Sequence, residues 1–583
     1  MRLRTLALLP LLLAAAAQDR DLLVSYTVFV DRPESGAIGI EMGIQGNAQE
    51  VVRVAIPAWA PGAYRIREYH RAVKRVRAQD GSGRALKVER ENDLTWKIEA
   101  GDSKAVGVSY ELEVEKGRLD AEHCLLHGPD TFLYVVGRKE APCRVRFIVP
   151  EGWRIATGLD PRAGTYRARD YDTLIDAPTE IGKFELAEFD QDGARYELVI
   201  HAKGPVDTKA LAEMCRKVVR EQNAMFGGPP FDRYVFFYDF GDGFGGGGLE
   251  HLNSTTISGG YAAVSKDPLS VASVTSHEYF HLWNVKRIRP LELGPFDYTG
   301  IVRSKALWLS EGCTSYFGSR ALARSRVWTE EQYFRHLSGE IEVLQNNPDR
   351  KVTSVEKASQ LTWDREDWPR VDYYNKGELL GLLIDLRIRT MTDGRLGFDD
   401  VMRHLYRRYA LRRDRGPIGV GFPEDGILKA LNEVTGSEWS DFYSKNVSGL
   451  DELPFEEILG AAGLSPGLRV VQRADLGLML RRTTVATVPA GSEAERKGVK
   501  AQDRILSING EEVARGNLRD LLAKLKPGVA AKVTFGRGNE KYAVNLAVGE
   551  REHVSCSLAR AKDPTPLQSR VLEAWLGKME QNR

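Results

Sequence analysis

The sequence has few cysteines, and none of them has the spacing with which cysteines bind zinc. Five occur among 583 residues and no CxxC is present, so neither a disulfide framework nor a cysteine zinc site is supported. Cys124 and Cys143 could pair in an oxidising compartment, and two unpaired buried thiols are the alternative.

An excess of charge of one sign is also lacking. Lys and Arg together number 82 and Asp and Glu 81, which gives a formal net charge of +1. This balance gives no reason to expect nucleic acid or an acidic membrane surface as a partner. Beyond the first residues, no apolar run approaches the roughly 18 residues that a membrane-spanning helix needs. We therefore predict a mature chain that is soluble and has no nucleic-acid partner.

Residues 1–17 have the features of a secretory signal peptide. Two arginines precede an apolar stretch over residues 6–13, and Ala15-x-Ala17 then supplies a small-residue cleavage motif. An apolar N-terminus of a cytosolic protein is the alternative. The pattern favours export, to the periplasm or out of the cell.

Hydrophobic patterning divides the rest of the chain into regions. Val106, Val108 and Tyr110 alternate with polar or small residues, which is typical of a strand, whereas helical spacing begins near Asp207. Short strands return near residue 468, with a helix over 517–525. The predicted domains are an N-terminal β domain (18–202), a mostly helical catalytic domain (203–455), a second β domain (456–550) and a C-terminal tail (551–583). Helices are predicted over 269–285, 304–323, 330–345, 376–390 and 398–409, and a strand over 233–240.

A zinc-binding pattern lies in the first of these helices. His277 and His281 are four residues apart, so both imidazoles lie on one helix face and can reach one Zn²⁺ ion. Glu278 lies one step round the helix, where it can accept a proton from the attacking water. A helix with two packed or surface histidines is the alternative reading.

A third ligand is present on the next predicted helix. Glu311 lies thirty residues after His281 among apolar neighbours, where an unpaired carboxylate would be costly to bury. It completes a His₂Glu set, which leaves a fourth position open, as catalytic zinc sites do.

A glycine run precedes the zinc motif. Gly243-x-Gly245-x-x-Gly248 formally matches a dinucleotide fingerprint, but residues 249–256 do not continue as the required helix. A glycine-rich edge that a peptide backbone can approach fits better. Glu250 then becomes a candidate partner for a substrate ammonium group, and a solvated loop carboxylate is the alternative.

Tyr374 precedes an apolar helix in the segment 372–377. A tyrosine hydroxyl near the zinc could donate a hydrogen bond to a developing oxyanion. By spacing alone, a core or surface aromatic residue is the commoner reading.

Three motifs together resemble the glycyl aminopeptidase family, a gluzincin group of zinc metallopeptidases whose members often carry a C-terminal PDZ domain. They are Gly247-Gly248-Leu249-Glu250-His251, Ser276-His277-Glu278-Tyr279-Phe280-His281-Leu282-Trp283-Asn284 and Trp308-Leu309-Ser310-Glu311-Gly312. Pro57-Ala58-Trp59-Ala60-Pro61-Gly62-Ala63-Tyr64 is similar to the family's N-terminal domain. The implied fold is α+β and multidomain, with an N-terminal β-sheet domain, a thermolysin-like, mostly helical catalytic domain and a C-terminal PDZ domain.

The resemblance also implies roles for individual residues. It implies Zn²⁺ ligands at His277, His281 and Glu311, a general base at Glu278 and an oxyanion donor at Tyr374. It implies pairing of a peptide substrate with Gly247, Gly248 and Leu249, with its amino group on Glu250, and a preference for glycine or alanine at the cleaved end. The sequence departs from related aminopeptidases at Gly248-Leu249, where they have Ala-Met, and at His251, where they have Asn.

The C-terminal β region resembles a PDZ domain. Leu476-Gly477-Leu478-Met479 looks like the carboxylate-binding loop, and residues 498–510 resemble the domain's turn and strand. In such a domain the C-terminus of a peptide adds as an edge strand. A PDZ domain with a blocked groove, which only packs on the catalytic domain, is the alternative.

The resulting hypothesis is a zinc-dependent aminopeptidase. An endopeptidase would keep the zinc site without needing Glu250, and a non-catalytic peptide-binding protein would use the PDZ domain and the cleft without turnover. The complete set of metal ligands with Glu278 argues against pure binding, because a binding protein has no need of an ionised glutamate beside an open zinc position.

Overall fold

A computed structural model describes residues 22–242, 246–364, 371–411, 420–481, 483–514, 517–538 and 540–577. The predicted signal peptide, Gly243 and Gly245 lie outside the described residues. The chain forms two compact units: Met1–Tyr333 with Thr353–Leu453 and Arg570–Arg583, and Phe334–Val352 with Pro454–Ser569.

The first unit begins with a β-rich region. Its strands are Leu23–Phe29 (β1), Ala37–Gln45 (β2), Val51–Ala55 (β3), Val73–Asp80 (β4), Ala85–Leu86 (β5), Val88–Arg90 (β6), Thr95–Glu99 (β7), Ala105–Glu113 (β8), His123–Leu126 (β9), Tyr134–Val135 (β10), Cys143–Ile148 (β11), Arg154–Thr157 (β12), Asp160–Arg162 (β13), Thr165–Ala168 (β14) and Thr179–Gly182 (β15). The short helices Gly128–Thr131 (α1) and Tyr171–Ile175 (α2) interrupt them.

Alternating hydrophobicity builds the core of this region. Along β8 every second side chain is buried, as the sequence pattern predicts, and Val106, Val108 and Tyr110 face inward. One sheet has the strand order β13-β14-β11-β1-β2-β8-β4-β5, with β10-β3-β7-β6 and β12-β15-β9 as further sheets. The predicted N-terminal β-sheet domain is therefore confirmed.

A mixed sheet then leads to the catalytic helices. Its strands are Glu185–Gln191 (β16), Ala194–Ala202 (β17), Arg233–Gly241 (β18), Gly247–Glu250 (β19) and Ser254–Gly260 (β20), and helix Thr208–Phe226 (α3) connects β17 to β18. The strand order is β16-β17-β18-β20-β19, so the glycine-rich β19 is an edge strand. The strand at β19, where a dinucleotide fold needs a helix, excludes the nucleotide-binding reading.

Helices form most of the rest of the catalytic region, as predicted. They are Tyr261–Val264 (α4), Ala272–Phe280 (α5), Thr314–Arg324 (α6), Glu330–Gln345 (α7), Val355–Gln360 (α8), Tyr373–Met391 (α9), Phe398–Leu405 (α10), Gly426–Thr435 (α11) and Ser440–Asn446 (α12). The π-helical segments Trp308–Cys313 and Tyr406–Ala410 adjoin α6 and α10.

Two predicted helices were wrong at their ends. The helix predicted over 269–285 spans only Ala272–Phe280, because Pro268–Val271 forms a 3₁₀ turn capped by Asp267 and the chain turns after residue 280. The helix predicted over 304–323 begins only at the π-helical segment. Local periodicity does not distinguish a π turn from an α turn over a segment as short as six residues.

Glycine contacts let the catalytic helices approach closely. A Cβ on Gly312 would lie 2.4 Å from the Cα of Gly377, so the segment that carries Glu311 lies directly against α9. Gly318 of α6 similarly lies against the backbone of His277, where a Cβ would be 3.1 Å from the amide nitrogen. These contacts bring the segments that carry His277, Glu311 and Tyr374 together.

The second unit contains the region predicted as a PDZ domain. Its elements are Phe455–Ala461 (α13), Leu464–Ser465 (β21), Arg469–Asp475 (β22), Met479–Arg481 (β23), Thr484–Thr487 (β24), Glu493–Arg496 (α14), Arg504–Ile508 (β25), Glu511–Glu512 (β26), Leu518–Ala523 (α15), Ala530–Arg537 (β27), Glu540–Ala547 (β28), Gly549–Ser555 (β29) and Ala559–Arg560 (β30). The main sheet has the order β23-β24-β25-β27-β28, and β22 pairs with β29.

The segment predicted as a C-terminal tail is structured over much of its length. It contains most of β29, then β30 and the helix Pro566–Leu576 (α16). Trp575 of this helix belongs to the first unit, where its Nε1 donates a hydrogen bond of 2.9 Å to the hydroxyl of Tyr316.

The five cysteines are free thiols in the structure, and Cys124 and Cys143 are buried. The structure thus favours unpaired buried thiols over a disulfide. Within the described ranges, no helix combines the length and the hydropathy that crossing a membrane requires.

Candidate zinc centre and substrate cleft

Helix α5 places the two histidines of the zinc motif side by side. His281 is the C-cap residue of α5 but keeps helical backbone angles (φ −59°, ψ −21°), so the spacing of one helical turn is preserved. The Nε2 atoms of His277 and His281 lie 2.9 Å apart.

Glu311 approaches both histidines from the π-helical segment. Its Oε2 lies 3.5 Å from Nε2 of His277 and 3.2 Å from Nε2 of His281. Bonds of about 2.0–2.1 Å at tetrahedral angles separate two ligand atoms by about 3.3 Å, so the three donor atoms are spaced as zinc requires.

The outer nitrogens of both rings have partners that fix their tautomers. Nδ1 of His281 is 2.6 Å from the carbonyl oxygen of Asn284, so it donates there. Ser315 donates its hydroxyl proton to the carbonyl of Glu311 and therefore accepts from Nδ1 of His277 at 3.1 Å. When both rings are neutral in these tautomers, their Nε2 atoms carry lone pairs that point at each other and at a carboxylate. A cation stabilises such a set, so the residues fit the zinc that the sequence implies.

Burial and neighbouring charges shift the pKa values of Glu311 and His281 in opposite directions. Burial alone would raise the pKa of Glu311, but His281 and His277 hold it well below its usual value. Burial would lower the pKa of His281, yet Glu311 and Glu250 raise it to about 10. Burial lowers the pKa of His277. Glu311 is therefore ionised and available as a ligand.

Glu278 lies behind the edge strand β19 and is 6% exposed. Its Oε2 is buried without a hydrogen-bond partner. Burial raises the pKa of its carboxyl group well above the usual value, and Glu250 and Glu311 raise it further. Gly248 leaves the room that this side chain occupies, because a Cβ there would lie 2.3 Å from Cγ and 2.4 Å from Oε1 of Glu278.

Glu250 ends β19 and is 4% exposed, with Oε1 buried and unpartnered. One ligand atom each from Glu250, Glu278 and His281 lies within 4.8 Å of the others. Gly62 of the N-terminal β region covers the carboxylate, since a Cβ there would be 2.6 Å from both Glu250 oxygens. A buried carboxylate with a free oxygen beside the zinc site is suited to bind a cationic group.

A buried charge network, which no sequence motif indicated, holds the end of β19. Asp176, the C-cap residue of α2, accepts hydrogen bonds from Nδ1 of His251 (3.2 Å), the backbone nitrogen of Leu252 (2.7 Å) and Nζ of Lys286 (2.7 Å). Burial alone would raise the pKa of Asp176, but Lys286 and His251 hold it below its usual value. The network explains why histidine follows Glu250 in this chain, since a ring nitrogen reaches the aspartate.

Tyr374 lies in the first turn of α9, whose N-cap is Asp372. The residue as a whole is 37% exposed although its phenol group is desolvated, and the ring centroids of Tyr374 and His277 lie 6.0 Å apart. Burial raises the pKa of its phenol well above the usual value, and the carboxylate of Glu311 raises it further. The hydroxyl thus stays protonated near the metal ligands and can donate a hydrogen bond.

Tyr64 is a cleft residue to which the sequence pattern assigned no role. It is 7% exposed, although it belongs to the N-terminal β region, and it follows the Gly62 that covers Glu250. In the sequence, the feature that could have identified Tyr64 is the resemblance of residues 57–64 to the family's N-terminal domain.

The predicted carboxylate-binding loop of the PDZ region connects β22 to β23 in the second unit. Leu476 and Leu478 are each 5% exposed and pack in the core of that unit, while Gly477 has φ +67°. The loop is far from the zinc ligands in sequence. Because its leucine side chains pack in the core of the second unit, only its backbone is available to a peptide.

We expect a measurement of zinc content to distinguish substitutions of the zinc ligands from substitution of Glu278. Glu311→Ala should lower zinc affinity by more than about 100-fold, beyond the cost of losing an outer hydrogen-bond partner. Glu278→Gln should retain stoichiometric zinc, while turnover falls by about 10²–10⁴-fold because the proton acceptor is lost. Metal analysis of the purified proteins checks both, and a zinc-free Glu278→Gln protein would contradict the assignment.

Models of three known domain families match parts of the chain. Residues 25–183 match the model of the Peptidase M61 N-terminal domain, residues 270–380 that of the M61 glycyl aminopeptidases and residues 466–548 that of a PDZ domain. A curated relative, the "Probable periplasmic serine endoprotease DegP-like" protein of Rhizobium meliloti (strain 1021), is 36% identical over 95 residues, 16% of this chain. The chain spans only 17% of that relative's length.

Among solved structures, the fold is similar to that of an aminopeptidase N family protein from Idiomarina loihiensis. The TM-score is 0.81 at 24% identity, over 95% of this chain and 100% of that one. An M1 zinc metallopeptidase from Deinococcus radiodurans gives a TM-score of 0.47 at 17% identity, over 75% of this chain and 96% of that one.

The predicted α+β multidomain fold is thereby confirmed. Both domain models of one peptidase family thus match the chain around a His₂Glu site that fits zinc, and a PDZ domain model follows them, so in these regions the chain is similar to the M61 glycyl aminopeptidases.

Proposed function

We propose that the protein is a zinc aminopeptidase, which hydrolyses the first peptide bond of peptides with a free N-terminus and favours glycine or alanine there. The observation that carries this proposal is the buried Glu250 carboxylate. It has an unpartnered oxygen and lies beside Glu278 and His281, where the ammonium group of a first residue can neutralise it.

The chain's own residues divide the chemistry among them. When bound by His277, His281 and Glu311, zinc supplies Lewis-acid chemistry for the scissile carbonyl and the water. Glu278 takes the proton of the attacking water and then delivers it to the leaving amine. Its raised pKa suits this exchange, because a carboxylate of ordinary acidity returns a proton less readily.

Two further groups act on the substrate. The protonated hydroxyl of Tyr374 donates a hydrogen bond to the oxyanion that develops at the scissile carbonyl. Glu250 forms an ion pair with the ammonium group and so places the first peptide bond, and no later one, at the reaction centre. A peptide with an acetylated N-terminus lacks that charge and leaves the carboxylate buried and unpaired.

The edge strand β19 supports the peptide itself. In the described part of the chain β19 pairs only with β20, and Gly247 and Gly248 are exposed. A peptide backbone can therefore add along this strand, where the absence of side chains permits close approach.

The proposal extends to location and to the PDZ domain. We infer export from the signal-peptide features of residues 1–17, and the DegP-like relative is named as periplasmic. The backbone of residues 476–478 would receive the C-terminal carboxylate of a peptide, which would add beside β23. Binding of a labelled peptide with a free C-terminus to the Glu278→Gln protein tests whether the domain receives a C-terminal carboxylate.

Hydrolysis of matched peptides tests the function. The protein should release single N-terminal residues from free peptides, and a zinc chelator should abolish the reaction. Acetylated peptides of the same sequence should remain intact.

Glu250→Gln should lower kcat/KM on free peptides by about 10–100-fold, the range for a lost charged hydrogen bond. Cleavage of acetylated peptides would establish an endopeptidase instead, and an absence of zinc-dependent cleavage would favour a binding protein.

The contact between Gly248 and Glu278 predicts a position-specific effect in β19. Gly248→Ala should lower kcat by about 100-fold at unchanged zinc content, because a displaced general base loses its alignment. Gly247→Ala is the matched control, since no atom lies within 4 Å of a Cβ there. The loss at Gly248 should clearly exceed the loss at Gly247, and equal losses would contradict the packing argument.

The network around Asp176 predicts an effect on binding of the amino group. Asp176→Asn leaves Lys286 buried without its counter-charge, so Glu250 should be misplaced and KM for free peptides should rise about tenfold. Asp172→Asn is the control, because Asp172 accepts from Tyr298 and does not contact β19. Steady-state kinetics at equal zinc content checks this, and equal KM values for the two variants would argue against it.

A further inference from the structure

We propose that Tyr64 limits the size of the substrate's first residue, so that glycine and alanine are admitted and larger side chains are excluded. The inference rests on the aminopeptidase function proposed above, since it takes Glu250 as the partner of that residue's ammonium group.

Tyr64 is positioned beside the place where the first residue must lie. Gly62, two residues earlier, contacts the Glu250 carboxylate. Burial raises the pKa of Tyr64 well above its usual value, and the charges of Glu311 and Glu250 raise it further, so its hydroxyl lies within electrostatic range of both. A first residue with its ammonium group on Glu250 and its carbonyl at the metal held by Glu311 has its Cα between these two carboxylates.

The ring of Tyr64 is fixed by its surroundings. Its backbone has φ +30°, a conformation that an aromatic residue keeps only when its neighbours enforce it. The ring lies edge-on to Trp363 at 6.1 Å between centroids, and Trp363 lies 5.2 Å from Trp59. Nε1 of Trp363 donates to the carbonyl of Val302 at 2.8 Å. A substrate side chain therefore cannot displace the tyrosine without disturbing this aromatic cluster.

A large cavity lies behind this residue. It has a volume of about 550 Å³, and its lining includes Gly62, Tyr64, Tyr69, Leu249, Glu250 and Phe296. Of the described residues, neither the three metal ligands nor Glu278 nor Tyr374 lines it. Residues of the segments 62–64 and 249–250 line the cavity, and Glu250 of this lining also lies beside Glu278 and His281. In the proposal these segments form a wall that separates the cavity from the reaction centre, and the cavity offers the space that a larger side chain needs.

Removal of the ring should open the wall and change specificity. On p-nitroanilides of Gly, Ala, Leu and Phe, the unmodified protein should prefer Gly and Ala. Tyr64→Ala should raise the Leu-to-Ala ratio of kcat/KM by about tenfold or more, the scale on which pocket size discriminates aliphatic side chains. Tyr64→Phe keeps the ring and should keep the original ratio. Tyr69→Ala should also keep it, since it enlarges the cavity without opening the wall.

Several outcomes would overturn the proposal. Equal hydrolysis of Leu and Ala substrates by the unmodified protein would do so without any variant. An unchanged ratio in folded, zinc-loaded Tyr64→Ala protein would do so as well, and Tyr64→Leu serves if the alanine variant does not fold. Failure of the proposed aminopeptidase function would give a different result. Cleavage of acetylated peptides would contradict the binding of the substrate's amino group by Glu250, whatever the size preference is.

Discussion

Three buried carboxylates beside two imidazoles are the constraint on which the rest of this structure depends. Glu250, Glu278 and Glu311 lie close to His281, each almost wholly removed from water. Buried negative charge of this density is costly unless cations compensate it. Lys286 is one such cation within the chain, since burial alone would lower its pKa but neighbouring charges, among them that of Glu250, raise it. In the function proposed above, a zinc ion at the His₂Glu set and a substrate ammonium group at Glu250 are two more, so that the same electrostatic need selects the metal and the charged end of the peptide.

Close packing around these carboxylates depends on positions without side chains. Gly248 lies against Glu278, Gly62 against Glu250, and Gly312 meets Gly377 where the ligand segment crosses α9. At each contact a Cβ would come within about 2.6 Å of its neighbour, which real side chains do not tolerate. Backbone fills the volume that water would otherwise occupy. The low-dielectric surroundings that result strengthen the interactions of the reacting groups.

The N-terminal β region takes part in the site. Gly62 covers the Glu250 carboxylate, Tyr64 lines the same cavity as Glu250, and Asp176 holds the end of β19 through His251 and Leu252. These contacts lie within one compact unit, which also contains the catalytic helices. A catalytic region without the β region would keep its zinc ligands, but it would lose the surface that we propose recognises the free end of a peptide.

The sequence by itself determined the elements whose signal is local. Period-two alternation located β8, and the spacing of His277 and His281 placed both rings on one helix face, because helical geometry is fixed over four residues. Glu311 was recognisable from its apolar neighbours. Glu250 and Tyr374 could be named as candidates, and the structure places both beside the metal ligands.

Only the tertiary structure decided what depends on contacts between distant segments. The contact of Gly62 with Glu250 and that of Asp176 with Lys286 join residues more than a hundred positions apart. The π-helical turn at Glu311 also packs against α9, where Gly312 meets Gly377. Periodicity reports which face of an element is buried. It carries no information on which other segment covers that face, and in this protein the covering segments complete the substrate cleft.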